Sequence, residues 1–299
     1  MAIKVGIQLG AGNSRFDSAQ RFWDAVDACE RLGFDSLWLS ERLSGPLPDS
    51  LTALAGIAGR TRQLKFGSSV LVVPGYNPVH LAKALATIDV LSAGRVLPAV
   101  GIGTDNPPEM EALGIRKEER GRRLDEAIVL MKRLWAEEAV TFRGNFYQVT
   151  DFTLWPRPVG PLPNAIWVGG HSEAAYRRAG RLCDGWLPSY VTPDEVRHGI
   201  SAIKRYAAEA GRAIPDDHYG ALIPVGFDPE PTQQLLARRA EPELFAGLGS
   251  TAAMLAQCRR YLDAGATKLV LVPARAEDLF KLDSLREEVA VPLETLPEP

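Results

Sequence analysis

LKFGSSVLVVPGYNPVHLAKALATIDVLSAGRVLPAVGIG, from Leu64 to Gly103, decides the fold of this chain. Two apolar, β-branched runs bracket an amphipathic segment, and each run ends in a loop bearing Gly or Pro. That order predicts a buried parallel strand, a crossover helix and a second parallel strand. Ligands in such folds bind at the loops that follow the strands. Here those loops are residues 72–77 and 101–108. They carry glycines, an Asn and small hydroxyl residues rather than bulky acids or a metal cluster. Loops of that composition can lie against a flat organic cofactor.

The same alternation extends in both directions. Strand-like runs at residues 3–9, 36–40, 64–72, 96–102, 166–168, 185–191, 219–227 and 268–272 alternate with helix-like runs. The helical runs are residues 18–32, 49–62, 78–91, 117–138, 172–183, 193–210, 232–239, 251–264 and 276–289. About eight strand–helix units predict a closed (β/α)8 TIM barrel rather than an open doubly wound sheet. Residues 140–165 break the rhythm. VTFRGNFYQV reads as a hairpin around Gly144-Asn145, followed by Pro156, Pro158, Pro161 and Pro163, an inserted excursion before strand 5. Residues 292–299, rich in Pro, read as a frayed tail. A single domain over residues 1–299 is expected.

Bulk properties exclude several classes. The chain has 299 residues, a net charge of -3 and 46% hydrophobic content. A nucleic-acid-binding surface is normally basic, so none is expected. No apolar run approaches the ~20 residues of a membrane span. MAIKVGIQLG lacks signal-peptide features and reads directly as the first strand. Cys29, Cys183 and Cys258 are odd in number and far apart, which fits a reducing cytoplasm. The four histidines show no metal-ligand spacing, so no metal site is expected.

Three loops carry candidate chemistry. Gly169-Gly170-His171-Ser172 joins a short strand to a helix that Ser172 can cap. Such a helix start attracts anions, and paired glycines let a phosphate approach closely, although a plain tight turn has the same pattern. Glu41-Arg42 ends the second strand, where barrel enzymes keep catalytic residues; a solvated ion pair would look the same. Thr104, Asp105 and Asn106 follow the fourth strand and can hydrogen-bond a heterocycle edge. The Gly101–Gly103 spacing does not match the dinucleotide fingerprint. Residues 117–123, KEERGRR, read as a solvated face, and His80 as a packed helix residue.

Taken in order, GFDSLWLSE (33–41), LAKALATIDVLSAGRVLPAVGIG (81–103), RGRRLDEAIVLMKRLW (120–135) and IWVGGHSEAAYRRAGRLCDGWLP (166–188) resemble the luciferase-like monooxygenase superfamily. Within it they look most like the group that uses the deazaflavin coenzyme F420. The resemblance implies a ring at the C-terminal ends of the strands. It implies a third-strand bulge with a non-prolyl cis peptide, mapped to Ser69 and Val70, with Val72 near the ring edge. Gly169, Gly170, His171 and Ser172 match the phosphate loop, and Thr104 and Asn106 fall where relatives contact ring or substrate.

Two departures are visible. Relatives carry Asp-His or Glu-His after the second strand, the His donating a proton in some; this chain has Glu41-Arg42, and arginine is a poor general acid. Thr104 stands where the sugar-phosphate dehydrogenases carry a catalytic Glu, which argues against glucose-6-phosphate chemistry. The resemblance implies hydride transfer between F420 and a small organic substrate, with Glu41 and Arg42 as the catalytic pair. Alternatives on the same fold are an FMN-dependent two-component monooxygenase and a non-catalytic flavin-binding barrel. A homodimer, and a flavin or F420 reductase supplying reduced cofactor, are the partners implied.

Overall fold

Eight short strands run parallel around a ring, and a computed structural model describes them within residues 3–10, 18–45, 47–162 and 165–296. They are β1 (Lys4–Leu9), β2 (Ser36–Leu39), β3 (Lys65–Val72), β4 (Val96–Gly101), β7 (Trp167–Val168), β8 (Gly185–Trp186), β9 (Gly220–Val225) and β10 (Lys268–Pro273). The order around the sheet is β8-β7-β4-β3-β2-β1-β10-β9. Parallel bridges Trp186–Tyr219 and Ser189–Leu222 join its two ends. The (β/α)8 barrel expected from the unit count is therefore the architecture found. The excursion is also present: β5 (Val140–Arg143) pairs antiparallel with β6 (Gln148–Phe152). Glu126 accepts hydrogen bonds from the Asn145, Phe146 and Tyr147 amides at its turn.

Local signals set the helix boundaries. The Ser18 side chain caps α1 (Ala19–Leu32), and Gly33 ends it in the left-handed conformation at φ 71°. Asn77 caps α3 (Pro78–Ser92), whose first residue is the proline that suits that position. The remaining long helices are α2 (Ser50–Arg60), α5 (Arg120–Ala136), α6 (Glu173–Leu182), α7 (Pro193–Glu209) and α9 (Thr251–Asp263). Their apolar faces pack on the outside of the barrel. Inside it, Trp38, Trp167, Leu187, Leu222, Val270 and Val272 form a separate cluster. Beneath that plug, buried Lys268 pairs with Asp35 and lies 5.8 Å from the Trp38 ring. Among the described residues the lower interior is thus filled, which leaves the C-terminal ends of the strands open to a ligand.

Four sequence readings are corrected. Strand-like residues 185–191 pair regularly only at Gly185–Trp186, because Pro188 has no N–H with which to continue the ladder. The short helix α4 (Pro107–Ala112) was not anticipated; it buries no residue, so it leaves no apolar periodicity to read. Residues 276–289 are not one helix but a 3-10 segment (Ala276–Lys281), a helical turn (Leu282–Ser284) and a π-helix (Leu285–Ala290). The tail does not fray at residue 292: Val291–Glu294 is helical and Leu293 is fully buried. Residues 297–299 of that tail, and Pro163, lie outside the described residues.

The approach to β3 depends on one carboxylate. Glu30 of α1 accepts hydrogen bonds from the amides of Arg62 (2.7 Å), Gln63 (3.1 Å) and Leu64 (2.8 Å). Burial works to raise its pKa, but the three amides outweigh burial and hold it below the ordinary value. Its stabilising effect is therefore present above the unfolded-state pKa of about 4.3 and is lost as pH falls through the lower folded value. Glu30→Ala should cost about 1.5–3 kcal/mol at neutral pH in urea denaturation, with the deficit shrinking under acid. An equal deficit at all pH values would contradict this role.

Candidate functional site

The strand ends open into a cavity of about 620 Å³. That is large enough for an organic cofactor with a small substrate beside it. Its floor begins at β1. Gln8 is 3% exposed, and its amide donates to the hydroxyls of Ser40 (2.9 Å) and Ser69 (2.8 Å). One side chain thereby links the ends of β1, β2 and β3. Gln8 was not singled out from the sequence, yet a signal existed: it is the one polar side chain in the C-terminal half of β1.

The wall comes from β3. Its register with β4 slips between Ser69 and Leu71, so Val70 is the extra residue of a bulge, and the Ser69–Val70 peptide is cis. Val70 lines the cavity, packed from behind by glycines. A Cβ at Gly101 would lie 2.5 Å from one Val70 methyl, and one at Gly169 would lie 2.7 Å from the other. Both positions must be glycine for Val70 to sit where it does. The bulge and the cis peptide fall at Ser69–Val70, and Ser69, Val70 and Val72 all line the cavity.

Beside this wall, the loop after β7 leads into α6. Gly170 has φ 90°, a conformation that favours glycine, and its carbonyl accepts the Trp186 indole N–H at 2.8 Å. The Ser172 hydroxyl accepts from the Ala175 amide at 3.3 Å. The amides of Glu173 and Ala174 belong to the first turn, where no helical acceptor exists. Ala174, Gly169, Gly170, His171 and Ser172 all line the cavity. The one acidic residue of that turn, Glu173, is drawn off by Arg205 at 3.1 Å and by the Tyr206 hydroxyl. The helix start can therefore receive an anion without repulsion.

Glu41 and Arg42 line the same cavity. The Glu41 carboxylate accepts the Val72 amide on one oxygen and the Tyr76 hydroxyl on the other. Burial pushes its carboxyl above the ordinary range; the two hydrogen bonds oppose this, and the charge of Asp49 adds to it. Arg42 Nε lies 3.9 Å from Glu109 of α4, too far for a hydrogen bond. Glu109 instead accepts from the Ser44 amide and hydroxyl, latching the loop after β2 to α4.

Thr104 lines the cavity, but Asn106 does not: it begins α4 and its side chain bonds Glu109. KEERGRR is not wholly a solvated face. Glu119 and Arg120 are 6% and 8% exposed, and Arg120 donates to the Thr104 carbonyl at 2.8 Å, bracing the loop after β4. His80 is exposed on α3 and stands outside the lining. Around the rim, Arg178, Arg238 and Arg239 also line the cavity and were not anticipated. Arg178 is tied to Asp125, and Arg239 to Glu195 and Glu241. Arg238 is exposed, with its guanidinium 5.9 Å from the Tyr190 ring.

Comparison with known proteins bears on this geometry. The family model described as luciferase-like monooxygenase matches residues 1–271. A protein of Kineococcus radiotolerans named F420-dependent glucose-6-phosphate dehydrogenase is 35% identical over 230 residues, 71% of this chain. The match spans 65% of that relative's length, just under two thirds. Among solved structures, an F420-dependent secondary alcohol dehydrogenase in complex with an F420-acetone adduct superposes with a TM-score of 0.82 at 19% identity. That alignment covers 99% of this chain and all of the other. Monooxygenase RslO1 of Streptomyces bottropensis gives a TM-score of 0.79 at 22% identity, covering 97% of this chain and 99% of that one. At such identities the likeness is one of fold.

The Gln8 bridge can be tested without any ligand. Gln8→Leu removes the donor shared by Ser40 and Ser69 and should lower stability by about 1–3 kcal/mol in chemical denaturation. An unchanged midpoint would show that the bridge carries no weight.

Proposed function

The chain belongs to the luciferase-like monooxygenase family, and on that premise we propose that it is an oxidoreductase passing a hydride between coenzyme F420 and a small organic substrate. The observation that carries this reading is the pairing, in one cavity, of the bulged β3 wall with the start of α6. Val70 and Val72 would hold a flat ring, and the first-turn amides of Glu173 and Ala174 would hold a ribityl phosphate. When bound, the deazaflavin ring supplies the hydride donor or acceptor, so the chain's own residues have to bind, orient and manage charge. Arg42, permanently protonated, stabilises negative charge at the ring edge.

Two further features support F420 over FMN. The relative aligned above carries F420 in its name. The coenzyme also has an anionic oligoglutamate tail, and the exposed rim guanidinium of Arg238 suits it. The substrate class that fits hydride exchange at this site is an alcohol–carbonyl couple, with Thr104 setting it apart from sugar phosphates. We read the protein as a cytoplasmic homodimer, with an F420 reductase restoring the spent cofactor. In support, Cys29, Cys183 and Cys258 are buried thiols pushed up to about 12 by burial, suited to a reducing compartment. Exposed Leu91, Trp155 and Val159 offer an apolar surface for a second copy. Among the described residues no helix is long and apolar enough to cross a membrane.

Fluorescence titration of the purified protein with F420 and with FMN tests the cofactor. Micromolar binding of F420 is expected, and binding of FMN alone would contradict the proposal. Gly170→Asp places a side chain and a negative charge against the phosphate and should abolish binding; retained affinity would refute the phosphate assignment. Arg42→Ala should slow hydride transfer about 100-fold while changing affinity much less. An unchanged rate would reduce Arg42 to a surface ion pair.

A further inference from the structure

Hydride exchange at an alcohol–carbonyl couple needs a second group, because the oxygen gains or loses a proton as the carbon gains or loses hydride. A guanidinium cannot play that part at any working pH, so Arg42 leaves the proton unassigned. Glu41 lies beside Arg42 and lines the same cavity. Its two oxygens have different neighbours: the Val72 amide holds one, and the Tyr76 hydroxyl holds the other. Tyr76 is itself outside the lining and half-buried.

We propose that Glu41 takes and returns the substrate proton, and that Tyr76 is the positioning residue that holds Glu41 and connects it to water. The proposal rests on the hydride-transfer reading above. In alcohol oxidation the C–H bond breaks with its electron pair going to oxidised F420. The O–H proton passes to the Glu41 carboxylate, and the carbonyl forms. Glu41 then gives its proton to the Tyr76 oxygen as the Tyr76 proton leaves to water. In carbonyl reduction every transfer reverses, with reduced F420 as the hydride source.

The charged and titratable groups around Glu41 are Arg42 on its own loop, Asp49 at the start of α2, and Tyr76 after β3. Glu109 of α4 faces Arg42. Burial and Asp49 push the carboxyl upward, toward the pH at which a proton carrier is most effective, while the Tyr76 and Val72 bonds moderate the rise. Tyr76 is pushed upward too, by burial and then by the Glu41 charge, so its hydroxyl stays protonated and donating.

A purely structural role, satisfying the Val72 amide at the bulge, makes a different prediction. Glu41→Gln keeps both hydrogen bonds, since its carbonyl can accept from Val72 and its amide can donate to the Tyr76 oxygen, but it carries no proton. On the proposal, this variant binds F420 within about twofold of the parent and transfers hydride at least ~100-fold more slowly, with partial recovery in Glu41→Asp. Carbon-13 carboxyl NMR of the cofactor-free protein supplies a readout independent of turnover. Glu41 should titrate above the ordinary glutamate value, and Tyr76→Phe, which removes a bond favouring the anion, should move its midpoint higher still. The low-pH limb of the alcohol-oxidation profile should move the same way. Full turnover in Glu41→Gln, or a Glu41 midpoint unmoved by Tyr76→Phe, would overturn the proposal. Failure of the parent protein to bind F420 would instead overturn the cofactor reading on which it stands.

Discussion

The slip of register between Ser69 and Leu71 is the constraint on which the site depends. One extra residue in β3 forces Val70 out of the ladder and toward the cavity, as bulges commonly do near ligand sites. Everything adjacent is arranged around that displacement. Gly101 and Gly169 leave room behind Val70, Gln8 ties the Ser69 hydroxyl to β1 and β2, and Glu41 takes up the Val72 amide. With Trp38 and Trp167 filling the barrel below, this geometry meets a ligand at the rim.

Charge is segregated across that rim. On the β7 side, the α6 start presents amides, and its single first-turn acid is neutralised by Arg205 and Tyr206. On the β2 side, a half-buried carboxylate and a guanidinium are adjacent in the chain, with Glu41 held by Val72 and Tyr76 while Arg42 leans toward Glu109. The α6 end thus suits an anion, and the proposal gives the handling of proton and charge to the β2 end. That division suits a long cofactor lying between them, with the reactive ring on the β3 side.

Much of this was legible in the sequence where period and punctuation were strong. The strand–helix–strand grammar of Leu64–Gly103 fixed parallel pairing, and Gly144-Asn145 marked the hairpin correctly. The glycine pair before Ser172 marked a helix start that proved to line the cavity. What escaped reading has common physical causes. α4 has no buried face, β8 stops at a proline, and Asn106 serves α4 rather than the cavity. Gln8, Tyr76, Arg120 and Arg238 are joined to the site only by folding, from positions far apart in the chain. KEERGRR looked like uniform charge, but folding turns Glu119 and Arg120 inward, Arg120 to the Thr104 carbonyl, while Lys117, Glu118 and Arg122 face water.

The central claim is a single cavity that grips a phosphate at α6 and supports a flat ring at β3. A crystal structure of the protein with F420 tests it most directly. The account predicts the phosphate within about 3 Å of the Glu173 and Ala174 amides, a hydrogen-bonding distance, with the ring against Val70. A phosphate seated on the β2 side, or a ring that does not touch β3, would contradict it.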